Sequence, residues 1–131
     1  VQYAYARISS VLGKARAAGI AVEQPDLVNA DLSEITHPSE LKLAKTLAEW
    51  PRLLEQAAKG HEPHRIAFYL FELASDFHGL WNKGHDLPEL RFLQEDNWSR
   101  SAGKIALISA VSVVLSAGLG ILGVTPMQEM R

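Results

Sequence analysis

Apolar residues recur along most of this chain at helical spacing. In the opening "VQYAYARISSVLGKARAAG", Val1, Ala4, Ile8, Val11, Leu12 and Ala15 fall on one face at 3.6-residue spacing, and Gly19 is placed to end the helix. The same helix carries a second stripe of Tyr3, Arg7, Ser10 and Lys14, which lines up a ring, two cations and a hydroxyl along one ridge. Residues 20–37 hold Pro25, Asp26, Asn29 and Asp31 without periodicity and read as loop. A helix is predicted from Pro38 or Ser39, with Leu41, Ala44, Leu47 and Ala48 as its apolar face. Pro51 must break or kink it, because proline lacks a backbone donor and clashes one turn back. A short helix from about Pro51 to Lys59 follows, stopped by Gly60.

The next helix, "EPHRIAFYLFELASDFHGLWNKG", has Pro63 in its first turn and Gly84 just past its end. Its run from Ile66 to Phe71 is apolar almost all round, which predicts a central, well-buried position. Phe77 and Trp81, four apart, share one face. Residues 85–97 read as a connection around Pro88, and a last helix is predicted from Trp98 to about Ala117, where glycines at 118, 120 and 123 begin.

That last segment includes twenty residues, 105–124, without a charge, enough in length to cross a membrane. Its pattern favours a different reading. Leu107, Ile108, Val111, Val114 and Leu115 lie on one side, while Ser109, Ser112 and Ser116 share the other with Ala102. Four further amphipathic segments need a partner for their apolar faces. An all-α bundle of about five helices, one domain over residues 1–131, satisfies all of them.

Composition narrows the chemistry. The chain has no cysteine, which removes disulfides and thiolate metal sites. Its five histidines show no converging ligand set, so no metal site is expected. There is no Gly-rich phosphate loop and no nucleophile elbow, so this stretch is expected to catalyse nothing and to carry no cofactor. Net charge is −2, so any contact with nucleic acid depends on a local patch. Carboxylates crowd residues 61–97, whereas residues 98–131 contain only Glu129. Opening on Val1 inside a helical pattern, the chain is expected to be cut from something longer.

Three strings carry a family resemblance. "VQYAYAR" is similar to the "VQYAHAR" that opens the C-terminal domain of arginyl-tRNA synthetases. "LASDFHGLWNKG" resembles that family's "LAxxFxxxWNxG", and "KIALISAVSVVLSAGLGILGVTPMQEM" its closing "RLALxxAVxxVLxxGLxLLGVxxPxxM". The strings occur in family order and span essentially the whole chain. The resemblance implies the all-helical, DALR-type anticodon-binding domain of a class I ligase that joins arginine to tRNA(Arg). ATP and Mg²⁺ would act in an upstream catalytic domain of the same chain. A monomeric, cytoplasmic enzyme without membrane attachment is expected.

The resemblance also assigns residues. Tyr3 and Arg7 fall where the family contacts the anticodon stem and loop, Phe77 and Trp81 where its aromatics pack near the loop bases, and Met130 at its terminal methionine. Lys14 and Lys83 are the cations expected to reach the RNA backbone. Lys104 stands where the family often has arginine, so a bidentate contact expected there would be lost. Unpaired bases are read by stacking on rings and by hydrogen bonds to base edges, while cations position phosphates. Two other functions fit the same pattern: a protein-interaction bundle with the family fold but no RNA role, and a membrane-associating helical domain.

Overall fold

The computed structural model describes residues 1–19, 35–93 and 98–127, with side chains omitted at 98–101. Among the described residues the chain forms α1 (Gln2–Ala17), α2 (Pro38–Ala48), α3 (Trp50–Gly60), α4 (His64–Asp86), a 3₁₀ turn (Pro88–Leu90) and α5 (Trp98–Ile121). The all-α bundle expected from the periodicity is present, without a strand among these residues. Helix α4 is its axis and touches α1, α2, α3, α5 and the 3₁₀ turn. Leu70, Leu73, Phe77 and Leu80 of α4 are buried against Ile8 of α1, Leu43 of α2, and Ile105, Ile108, Val111 and Leu115 of α5.

The buried faces of α1 and α5 follow the sequence reading. Ala4, Ile8, Val11 and Ala15 of α1 are buried, and Gly19 takes a left-handed φ of 84° just beyond the helix. All five bulky positions predicted to face inward on α5, Leu107, Ile108, Val111, Val114 and Leu115, are buried. Helix α5 is long and apolar enough to cross a membrane by length and composition, yet half of its apolar stretch is covered by the rest of the bundle.

Four expectations are corrected. Helix α5 continues through Gly118 and Gly120 to Ile121. Gly118 does not end the helix. It makes room for α4, because a Cβ there would lie 2.6 Å from Leu70 Cδ2. Helix α3 ends with His61, not Gly60, in the left-handed region, at φ 52°. Helix α4 runs past Gly84 to Asp86; Gly84 is buried in the last turn, where the Arg91 backbone passes and Arg91 Nε donates to the Gly84 carbonyl at 2.9 Å. And the apolar run at 66–71 is not buried all round, since Phe68 and Phe71 are 72% and 71% exposed.

Helix α2 is turned only in part from its predicted face: Ala44 and Leu47 pack against the core as predicted, whereas Ala48 is exposed. Leu41 is exposed, and the buried residues are Glu40, Leu43 and Thr46. Two polar residues go inside because partners wait there. Glu40 Oε2 accepts from Lys104 Nζ of α5 at 2.6 Å. Thr46 Oγ1 donates to Asp76 Oδ2 of α4 at 2.7 Å, and Lys42 closes on Asp76 Oδ1 at 3.1 Å. Tyr69 Oη donates to the Thr46 carbonyl at 2.6 Å. Glu40 does a second job: its Oε1 accepts from the His37 backbone N–H at 3.3 Å, while His37 Nδ1 accepts from Ser39 N–H at 3.1 Å, a reciprocal cap on the first turn. Lys104 is therefore a buried structural partner and no RNA contact.

Candidate nucleic-acid interface

The 3.6-residue period puts Tyr3 above Arg7 on α1, and His78 one turn before Trp81 on α4. Because α1 packs against α4, these two short ridges meet. The Arg7 guanidinium lies 4.3 Å from the Tyr3 ring centroid and 5.0 Å from that of Trp81. Its Nη2 donates to the Tyr3 hydroxyl at 3.0 Å, and its Nη1 donates to His78 Nδ1 at 3.2 Å. The His78 ring stacks on Tyr3 with centroids 5.7 Å apart and planes 28° apart. One cation is thus fixed by two hydrogen bonds and two ring faces. A cation over a ring at this range contributes about 0.5–1 kcal/mol at an exposed site.

The cluster remains open to solvent. Tyr3 is 49% exposed, and Arg7, His78 and Trp81 are half-buried. Behind them Phe77 is 0% exposed, with Phe92 stacked on it at 5.6 Å and Trp81 tilted against both rings at 6.0 Å. Phe77 therefore cannot stack on a base. Its ring is a core support that sets the attitude of Trp81.

Next to Trp81 lies a cavity of about 240 Å³, with Val11, Leu90 and Phe92 in its wall and Lys14, His85 and Arg91 also lining it. Lys14 is two turns along α1 from Arg7, so the ridge predicted from Tyr3 through Lys14 runs from the ring cluster to this cavity. Lys83 is elsewhere. Two residues on from Trp81, it projects from the opposite side of α4, and its ammonium donates to the Ser39 hydroxyl at the start of α2. It does not belong to this surface. Met130 lies outside the described residues.

Two participants were missed by the sequence reading. His78 follows Phe77 in the middle string, and its only clue is the three-residue spacing to Trp81. Burial pushes its imidazole below the usual pKa, and Arg7 pushes it the same way. Gln2 is the other. Its Nε2 donates to the Thr125 carbonyl at 3.0 Å, and its Oε1 accepts from the Met127 N–H at 2.8 Å. This two-point amide clamp ties the chain beyond α5 to the first turn of α1, next to Tyr3.

Exposed rings beside a fixed guanidinium and a further lysine make a surface suited to unpaired bases and their phosphates. The family model of the DALR anticodon binding domain matches residues 1–130, and the chain belongs to that family. The arginine–tRNA ligase of Roseobacter denitrificans is 63% identical over all 131 residues, that of Paracoccus denitrificans 58%, and one from Cereibacter sphaeroides 63%. In each case the whole chain is covered but only 22% of the relative, so the chain spans about a fifth of the length of these ligases.

Proposed function

We propose that this chain is the anticodon-recognition part of an arginine–tRNA ligase specific for tRNA(Arg). The Tyr3–Arg7–His78–Trp81 cluster is its reading surface. The supporting observation is the meeting of α1 and α4 there: two half-open rings flank a guanidinium held at 3.0 and 3.2 Å by neighbouring side chains. Stacking of loop bases on Tyr3 and Trp81 supplies about 1–3 kcal/mol per base. Arg7 and Lys14 place the phosphates or donate to acceptors on base edges.

The remaining part of the ligase would carry out the ATP- and Mg²⁺-dependent activation of arginine and its transfer to the tRNA. This part holds the anticodon so that the acceptor end reaches that distant centre. The protein would work in the cytoplasm as a monomer. The test is arginylation by the full-length protein with purified tRNA, ATP and Mg²⁺. Charging of tRNA(Arg), abolished or much weakened when the tRNA carries a foreign anticodon, is the expected result. Charging indifferent to the anticodon would overturn the reading.

A further inference from the structure

We infer that His78 is a positioning residue for RNA recognition: as a neutral imidazole it accepts a hydrogen bond from Arg7 and so holds the guanidinium against the Tyr3 and Trp81 rings. This rests on the reading of that cluster as the anticodon surface. A guanidinium has only donors, so the nitrogen facing it must be the lone-pair nitrogen. The 3.2 Å contact to Nδ1 therefore puts the His78 proton on Nε2. A second proton, on Nδ1, would convert the acceptor into a donor aimed at Arg7 and set two cations side by side. Arg7 would then have to leave, although its other anchor, the Tyr3 hydroxyl, stays in place.

Among the described residues, no group shown to act on the ring offsets that repulsion. The charged side chain acting on it is Arg7, a cation on the α1 side. On His78's own helix Asp76 is turned away, to Lys42 and Thr46 of α2, and Lys83 is turned to Ser39. From beyond α4, Arg91 Nε is directed at the Gly84 carbonyl. The ring is fixed by its stack on Tyr3 and its tilted contact with Phe77 at 5.5 Å, so it cannot swing clear without disturbing both. RNA recognition then depends on pH through a residue that need not touch the RNA.

The test uses the full-length ligase, with KM for tRNA(Arg) measured between pH 5 and pH 8. His78→Asn offers an amide oxygen close to the place of Nδ1 and does not titrate; His78→Ala offers no acceptor. At pH 7.5 the Asn variant is expected near the wild-type KM and the Ala variant about 3- to 10-fold higher, the scale of one lost hydrogen bond. As pH falls below the ordinary histidine range, the wild-type KM for tRNA should climb while that of His78→Asn stays level, with kcat falling in parallel in both. A wild-type KM in folded His78→Ala, or an acid limb in His78→Asn as steep as the wild type's, overturns the inference. Arg7→Ala separates the two levels. If it raises the KM for tRNA while both His78 variants behave normally, only the role of His78 fails. If it too is silent, the surface itself is wrong.

Discussion

Lys104 Nζ and Glu40 Oε2 are 2.6 Å apart, and each side chain is only 3% exposed. The pair joins α5 to the first turn of α2, and both residues have lost nearly all their water. Removing one partner strands the other charge in the interior, at a cost of about 3–5 kcal/mol, whereas replacing both with apolar groups of similar size is close to neutral. Lys104→Met alone is therefore expected to lower the urea midpoint sharply. Lys104→Met combined with Glu40→Leu should recover most of the loss, short of the contribution of the cap that Glu40 makes to His37. Equal losses in the single and double variants would show that the pair is not the connection described.

Tyr69 supplies a pH signature. Its hydroxyl donates to the Thr46 carbonyl, its ring stacks on Trp50 at 5.5 Å, and its pKa is raised to about 12, first by burial and then by Glu49 and Glu72. The neutral phenol is favoured in the folded state. Its contribution to stability is thus complete below the unfolded value near 10 and is lost as pH rises through about 12. The stability difference between wild type and Tyr69→Phe, followed by denaturant unfolding from pH 8 to pH 12, should shrink over the upper part of that range. Near neutral pH, Tyr69→Phe should cost about 0.5–1.5 kcal/mol, the net worth of one hydrogen bond, because the Thr46 carbonyl keeps the Glu49 N–H at 3.2 Å.

Gly118 tests the packing of α5 on α4. Alanine in place of an ordinary helical glycine stabilises by about 1 kcal/mol. Here the added Cβ would lie 2.6 and 2.8 Å from the two Leu70 methyls, and Leu70 is itself buried. Gly118→Ala is expected to destabilise by about 1–3 kcal/mol in thermal unfolding, the scale of overpacking. A second change, Leu70→Ala, should make Gly118→Ala harmless or favourable in that background.

Gln2 makes a prediction at one amide. The Met127 N–H donates to Gln2 Oε1, and the Gln2 amide donates to the Thr125 carbonyl. Gln2→Ala should accelerate hydrogen exchange at Met127 by removing the acceptor, with global stability changed by less than about 1 kcal/mol. Gln2→Glu keeps an acceptor and should retain part of the protection. Unchanged exchange in Gln2→Ala would contradict the clamp.

Helix periodicity alone located the elements, because an amphipathic helix must bury one stripe and its sequence shows that stripe. It also put Tyr3, Arg7 and Lys14 on one ridge and the bulky side of α5 indoors. It failed where an inward residue is polar. Glu40 and Thr46 look like surface residues until Lys104 and Asp76, 64 and 30 residues away, are seen to meet them. It failed at Gly118 for a related reason: a helical glycine tells of a close approach only once the approaching Leu70 is known. In the site, Phe77 and Trp81 share a face by spacing, but burial divides their roles, the first within the core and the second at its edge. His78 and Gln2 were invisible because a lone histidine or glutamine acquires meaning only from what the tertiary fold sets against it.

The central claim is that the α1–α4 cluster reads the anticodon, and arginylation kinetics of the full-length ligase with Trp81→Ala test it most directly. Loss of one stacking platform should raise the KM for tRNA(Arg) by about 5- to 150-fold, the equivalent of 1–3 kcal/mol. The KM values for arginine and ATP should stay at wild type and the fold intact. A folded Trp81→Ala enzyme that charges tRNA(Arg) with an unaltered KM would contradict the account.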